Sequence, residues 1–307
     1  LFSIAAVSGM VFGIIEGPER GWTSVMSVSG IVVGLLAGLT FVLWELRHEY
    51  PLLDPRLFRN RAFAAGSTSI LLQFLCQFGF IFVGMQYLQY VVGFSAWDAV
   101  IRLLPMPFII LPASRIAGRL ASTMPQKKMG SFGMLLFGLG LFDFAAMDSN
   151  FNIWHFWSGL VLFGAGFAIA SVPATTAITS SLPGNKQGVA SAVNDVSREF
   201  GSAVGIAILG SALNGRYRGE IDVNLSQIPS QILDRIKSSV AFTQMNPQDI
   251  VEKFPQAAPL LNQWESIVAA AKQAFSDGMR LSLIIAGSIA LFGGLWVALV
   301  APNQVSK

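Results

Sequence analysis

An apolar stretch over residues 187–213 carries four side chains that prefer water: Asn194, Asp195, Arg198 and Glu199. Charge inside a bilayer is costly and by default marks a functional position, proton relays among them. Arg198 follows Gly188 by ten residues, about 15 Å along a helix, which is near mid-membrane for a span beginning there. Asp195 and Arg198 are spaced i, i+3 and can pair on one face. Glu199 is i+4 from Asp195, a like-charge spacing that suits a proton-linked step. The competing reading is a helix that starts earlier in water, with a shallow cluster and Arg198 snorkelling to the surface. These three ionisable residues are the proton-relay candidates, and Asn194 is a candidate for a substrate cavity.

Gln73 and Gln77 are spaced i, i+4 in a second apolar stretch, with Gln86 and Gln89 further along. Amides at that depth either join helices or hydrogen-bond a substrate, and cavity lining is the expectation for Gln73 and Gln77. Asp98 and Arg102 form an i, i+4 pair that reads as an interfacial ion pair, since such charges snorkel near span ends. Phe74, Phe78, Phe80 and Phe82 fit lipid contact or core better than a ligand cage. Tyr87 and Tyr90 fit an interface belt.

Other chemistries find little material. Cys76 is the one cysteine, so no internal disulfide or zinc spacing exists. His48 and His155 are the two histidines and neither sits in a partner pattern, so neither a metal site nor a cofactor is expected. A membrane enzyme would need convergent His, Asp or Cys residues, and a channel a charged ring or filter loop; neither is visible. The net charge of +3 suits loops near anionic lipid headgroups rather than a nucleic-acid surface.

The elements that position these residues follow from hydropathy. Hydrophobic residues make up 53% of the 307, charged residues 12%, and mean hydropathy is +0.59. A soluble domain carries about 25% charge, so this chain cannot cover itself with a polar surface; a lipid bilayer is its expected surroundings. A membrane helix needs about 20 apolar residues, and open strands would leave backbone groups unpaired in lipid. About eight transmembrane helices are expected, near 1–16, 24–46, 64–91, 98–117, 129–147, 153–182, 187–213 and 279–301. Leu1 already lies inside an apolar segment, which reads as a chain truncated within its first span.

Alternate loops are basic. Arg47, Arg56, Arg59, Arg61, Arg115, Arg119, Lys127, Lys128 and Lys186 fall on one side, and Arg20 alone in the short loops of the other. The positive-inside rule then predicts both chain ends in the cytoplasm. Residues 214–278 form a long polar segment on the outer side, and Ile228, Ile232, Ile236 and Val240 give 228–242 a helical period. Short amphipathic helices at the outer surface are expected there, with 259–276 running into the last span. Gly9/Gly13, Gly30/Gly34/Gly38 and Gly201/Gly205 recur at every fourth residue, the spacing that lets membrane helices approach closely. Pro105, Pro107, Pro112 and Pro173 can bend their helices, as in transporters whose bent helices line the pathway.

Several segments together resemble the fourteen-helix drug:proton antiporters of the major facilitator superfamily. Glu16–Ser24 (EGPERGWTS) resembles the outer turn between that family's two extra central helices. Pro51–Gly66 resembles the linker into the carboxy-terminal bundle, Tyr87–Pro105 the outer turn between that bundle's first two helices, and Gly188–Ser211 its fifth helix. The resemblance implies two central helices in 1–46, a cytoplasmic linker in 47–63, a six-helix carboxy-terminal bundle in 64–301 with its outer loop at 214–278, and a cytoplasmic tail in 302–307. It implies an amino-terminal bundle on the same polypeptide outside this chain. It also implies proton-driven export of amphipathic small molecules across the bacterial inner membrane, with protons as coupling ion and no other cofactor. Exporters of this kind in Gram-negative bacteria can join a periplasmic adaptor, for which 214–278 is the candidate contact. Export of an endogenous metabolite or siderophore on the same scaffold stays open. Gly118 and Arg119 match a cytoplasmic loop motif of the family, but Ser122 stands where the family often has Asp, and Val100 where it commonly has Gly.

Overall fold

The computed structural model describes residues 1–48, 51, 54–147, 151–224, 228 and 230–303; the expected tail 302–307 lies mostly outside them. Its regular elements are all helical: α1 (Phe2–Arg20), α2 (Val25–Arg47), α3 (Arg61–Gln86, continued by a π-helical turn Tyr87–Val91), α4 (Ala96–Leu103), α5 (Pro105–Ala121), α6 (Gln126–Ala145), α7 (Ile153–Ser180), α8 (Gln187–Asn224), α9 (Ser230–Ser238), α10 (Pro247–Lys253) and α11 (Trp264–Val300). Among the described residues, 7 helices are long and apolar enough to cross a membrane, with α4 and α5 counted together, and Phe2–Pro18 is a shorter apolar helix. The chain is a multi-pass membrane protein. Helix starts are set by side chains that satisfy free N–H groups. Ser24 accepts from Ser27 N at 3.2 Å, Asn60 from Ala62 N at 3.0 Å, Ser95 from Asp98 N at 3.1 Å and Asn152 from Trp154 N at 2.9 Å.

The span expected at 98–117 is divided at Leu104, because Pro105 and Pro107 have no N–H to give the helical ladder. Pro112 and Pro173 lie inside uninterrupted α5 and α7. α8 outruns its expected span, and α11 extends outward from its own as the periodicity of 259–276 predicts. α8 continues to Asn224 and α11 begins at Trp264, giving 38 and 37 residues, about 55 Å each against roughly 30 Å of hydrocarbon. Their extensions are amphipathic and close on each other. Leu213, Tyr217 and Ile221 of α8 are buried, as are Trp264, Ile267, Ala271 and Phe275 of α11. The Tyr217 and Phe275 rings meet at 6.5 Å. Most of 214–278 is therefore a folded cap on the end opposite the basic loops. α9 has the expected periodicity, but its Ile232 and Ile236 are buried in the bundle's own core, and the Tyr217 hydroxyl donates to Ile236 O at 2.8 Å.

Within the bundle α3 packs on α7, α8 and α11, α6 on α7 and α11, and α5 on α7, while α1 joins α2 to α8. The glycine rows do what their spacing predicted. A Cβ on Gly9 would lie 2.8 Å from Gly34 N, and Gly201 and Gly205 sit against the Leu71 and Leu75 carbonyls of α3. Ser211 Oγ donates to Ile14 O at 2.7 Å, linking α8 to α1. At the basic end, Arg56 Nη2 donates to Leu46 O at 3.1 Å. Arg61 reaches Val300 O and Leu299 O, each at 2.9 Å, a cation where the α11 dipole is negative.

Candidate functional site

Of the polar residues expected inside the bundle, Gln73 and Gln77 lie on α3, and Asn194, Asp195, Arg198 and Glu199 on α8, which packs beside it. The close approaches of Gly201 to Leu71 and Gly205 to Leu75 fix the register of two parallel helices. In that register Arg198 is level with residues near 68. Gln77 lies nine residues further from the basic end, about 13 Å along the axis, and Asn194 lies a turn to the other side. Gln73, Gln77 and Asn194, each expected to line a substrate cavity, occupy different depths.

Gln73 is fully buried and its amide is bonded at both atoms. Nε2 donates to Ser69 O at 3.1 Å and Ser69 Oγ at 2.9 Å, and Oε1 accepts from Ser171 Oγ of α7 at 2.6 Å. Here the amide joins helices, the first of the two roles its type allows. Ser171→Ala should leave Oε1 without a donor and lower the unfolding free energy by about 0.6 kcal/mol, the usual size of such a bond in a membrane bundle. Thermal unfolding of the purified full-length polypeptide, with Thr176→Val as a control that removes a bond within one helix, measures this.

Gln77 Oε1, Asn194 Oδ1 and Arg198 Nε are among the polar atoms buried without a hydrogen-bond partner among the described residues. α8 begins at Gln187, so Arg198 lies about 16 Å along it. Its guanidinium carbon sits 5.1 Å from the Phe74 ring centre, within cation–π range, and Phe74 in turn contacts Phe78 at 6.1 Å and Phe167 at 5.6 Å. Among the described residues no ion pair joins Arg198 to Asp195 or Glu199. Val193, Asn194 and Ser197 take the buried face of α8, while Asp195, Val196 and Glu199 are exposed. Asp195 and Glu199 thus stand one turn apart on an outward face, and Arg198 turns from them to an aromatic ring on α3. That ring contact had no signal in local spacing.

The pair expected at Asp98 and Arg102 is present, with Nη1 to Oδ1 at 3.4 Å. Ser95 Oγ holds the other carboxylate oxygen at 2.6 Å. Gly118 and Arg119 lie in the exposed last turns of α5. A Cβ on Gly118 would meet open space, and Ser122 Oγ, in place of a carboxylate, donates to Arg119 O at 2.7 Å. His155, which lacked a partner pattern in the sequence, has Asp143: Nε2 lies 3.0 Å from the Asp143 carbonyl and 3.4 Å from Oδ1, and Ser158 Oγ donates to Oδ2 at 3.2 Å. Among the described residues no group of His, Cys, Asp and Glu could hold a metal ion.

A family model described as Major Facilitator Superfamily matches residues 1–206. The chain is 28% identical over 293 residues to multidrug resistance protein Stp of Mycobacterium tuberculosis, covering 93% of this chain and 53% of Stp. It is 28% identical over 282 residues to methyl viologen resistance protein SmvA of Salmonella typhimurium, covering 91% and 55%. It is 26% identical over 291 residues to the tetracenomycin C resistance and export protein of Streptomyces glaucescens, covering 92% and 52%. The chain spans about half the length of these relatives. Among solved structures, a bacterial homologue of the human lysosomal transporter Spinster, inward-facing and occupied, superposes with a TM-score of 0.57 at 14% identity, over 99% of this chain and 65% of that one.

Proposed function

The chain belongs to the Major Facilitator Superfamily, and on that premise we propose that it is the carboxy-terminal part of a proton-driven exporter of drugs or other amphipathic small molecules. Transport proceeds by alternating access, in which two bundles rock about a midplane site. In this reading α1 and α2 are the extra central pair, α3–α11 the carboxy-terminal bundle, and a second bundle on the same polypeptide completes the site. The observation that carries the substrate class is that relatives matching over 90% or more of this chain are named for drug resistance or export. Asp195 and Glu199, exposed on α8, supply groups that can take up and release a proton. The basic loops orient the protein with both chain ends in the cytoplasm of a bacterial inner membrane. The cap of α9 and α10 then stands outside, where a periplasmic adaptor could be received.

The test uses the full-length polypeptide in inside-out vesicles. An imposed proton gradient should drive ethidium into the lumen, and a protonophore should abolish the uptake. Uptake indifferent to the protonophore would remove the proton from the mechanism, and no movement of ethidium or methyl viologen would remove the substrate class. Vesicles holding residues 1–307 alone should show no gradient-driven uptake.

A further inference from the structure

At the end opposite the basic loops, a cavity of about 540 Å³ is lined by Phe94, Ile101, Arg102, Phe151, Ile153 and Trp157, a volume within the range of small-molecule sites. Three separate segments build it. The π-helical turn Tyr87–Val91 and Gly93, at φ 87°, turn the chain so that Phe94 lies under the Arg102 guanidinium, 3.7 Å from Cζ to the ring centre. α4 contributes Ile101 and Arg102. The start of α7 contributes Ile153 and Trp157, and Phe151 packs edge-on against Phe94 at 5.2 Å.

Arg102 is held but not saturated. Its Nη1 donates to Asp98 O at 2.9 Å and reaches Asp98 Oδ1 at 3.4 Å. Its Nε and Nη2 make no hydrogen bond among the described residues. A guanidinium fixed on a ring with one edge free is a fork for a phosphate. The surroundings choose between a dissolved phosphate and a lipid one. Trp97 and Trp154 near the cavity are 74% and 73% exposed, and exposed tryptophans at a span end mark headgroup depth. Among the described residues the other five that line the cavity are apolar or aromatic, suited to a glycerol ester and the start of an acyl chain rather than a hydrated anion. Asp98 on the occupied edge of Arg102 offers a negative charge to a cationic headgroup terminus.

We propose that this cavity seats the headgroup of a phosphatidylethanolamine-type lipid, with its phosphodiester on the free edge of Arg102 and its ammonium toward Asp98. The leaflet follows from the orientation proposed above; the binding itself does not depend on it. The test is native mass spectrometry of the delipidated full-length polypeptide, titrated with palmitoyl-oleoyl phosphatidylethanolamine, the matching diacylglycerol and inorganic phosphate. Wild type should retain one phosphatidylethanolamine and discriminate against diacylglycerol. Arg102→Ala should weaken retention by about tenfold or more, as expected for loss of a charged hydrogen bond. Arg102→Lys should fall between them, and Arg119→Ala at the other end should equal wild type. Equal retention by Arg102→Ala overturns the proposal, as does equal retention of diacylglycerol by wild type, a comparison that needs no variant to fold. Inorganic phosphate that displaces the lipid one for one would assign the site to a free anion and overturn the lipid. Normal lipid binding in a polypeptide that moves no ethidium would leave this site standing and count against the export reading alone.

Discussion

Asp195→Asn and Glu199→Gln in the full-length polypeptide are each expected to lower gradient-driven ethidium uptake by about tenfold or more, because an amide cannot carry the proton that a relay carboxylate in a membrane helix carries. Both side chains are exposed on α8, so neither substitution disturbs a buried contact. Neither is in an ion pair among the described residues, so no cation is left unpaired. Ethidium binding to the purified protein, followed by fluorescence polarisation, should stay within about twofold of wild type, within the range for mutation at an exposed site. That split between binding and driven movement separates a coupling role from a packing role. Arg198→Ala should behave differently. It removes the contact with Phe74, worth about 0.5–2 kcal/mol, so its main effect should be a lower unfolding temperature. Undiminished gradient-driven uptake in both carboxylate variants would place the proton route elsewhere in the polypeptide.

What could be read from the sequence was what lies within one helix. Each apolar window formed a helix because lipid leaves the backbone no other way to pair its polar groups. The i, i+4 spacing of Asp98 and Arg102 became an ion pair. The outer part of α8 was missed as helix because its apolar residues form a single stripe, Leu213–Tyr217–Ile221, diluted by polar neighbours, whereas the start of α11, with the stripe Trp264–Ile267–Ala271–Phe275, was expected from the periodicity of 259–276. A stripe of that kind is stable only when another helix covers it, and that helix is distant in sequence. Competition between partners was likewise invisible. Arg198 could meet Asp195 by spacing, yet Phe74 on α3 holds it. Gln73 could line a cavity, yet Ser171, 98 residues away, takes its carbonyl. His155 and Asp143 meet across the α6–α7 connection. Each outcome depends on the depth at which two helices lock, and a small-residue motif in one helix does not state where the partner's backbone will sit.

Gly205→Val is expected to remove most of the correctly folded full-length polypeptide from the membrane, the largest structural effect of any single substitution considered. A Cβ at Gly205 would strike the carbonyl oxygen, carbonyl carbon and Cα of Leu75. Those are backbone atoms of α3, so no rotamer change relieves the clash. Overpacking relieved by side-chain movement costs about 1–3 kcal/mol, and a clash between two helix backbones should exceed that, at about 3 kcal/mol or more. α3 cannot yield easily, since Gly66 on its other side already lies against the Ala174 carbonyl of α7. Parting α3 from α8 would also carry Phe74 away from Arg198 and expose Asn194. Gly188→Ala is the matched control: the same helix, with nothing within 4 Å of the added Cβ, so stability should hold or rise by up to about 1 kcal/mol from the gain in helix propensity. Fluorescence-detected size-exclusion of tagged protein reports both variants, with Gly205→Ala between them. A monodisperse Gly205→Val peak at wild-type height and unfolding temperature would mean that α3 and α8 do not lock at this depth. The register that assigns Gln73, Gln77 and Arg198 their levels would then have to be redrawn.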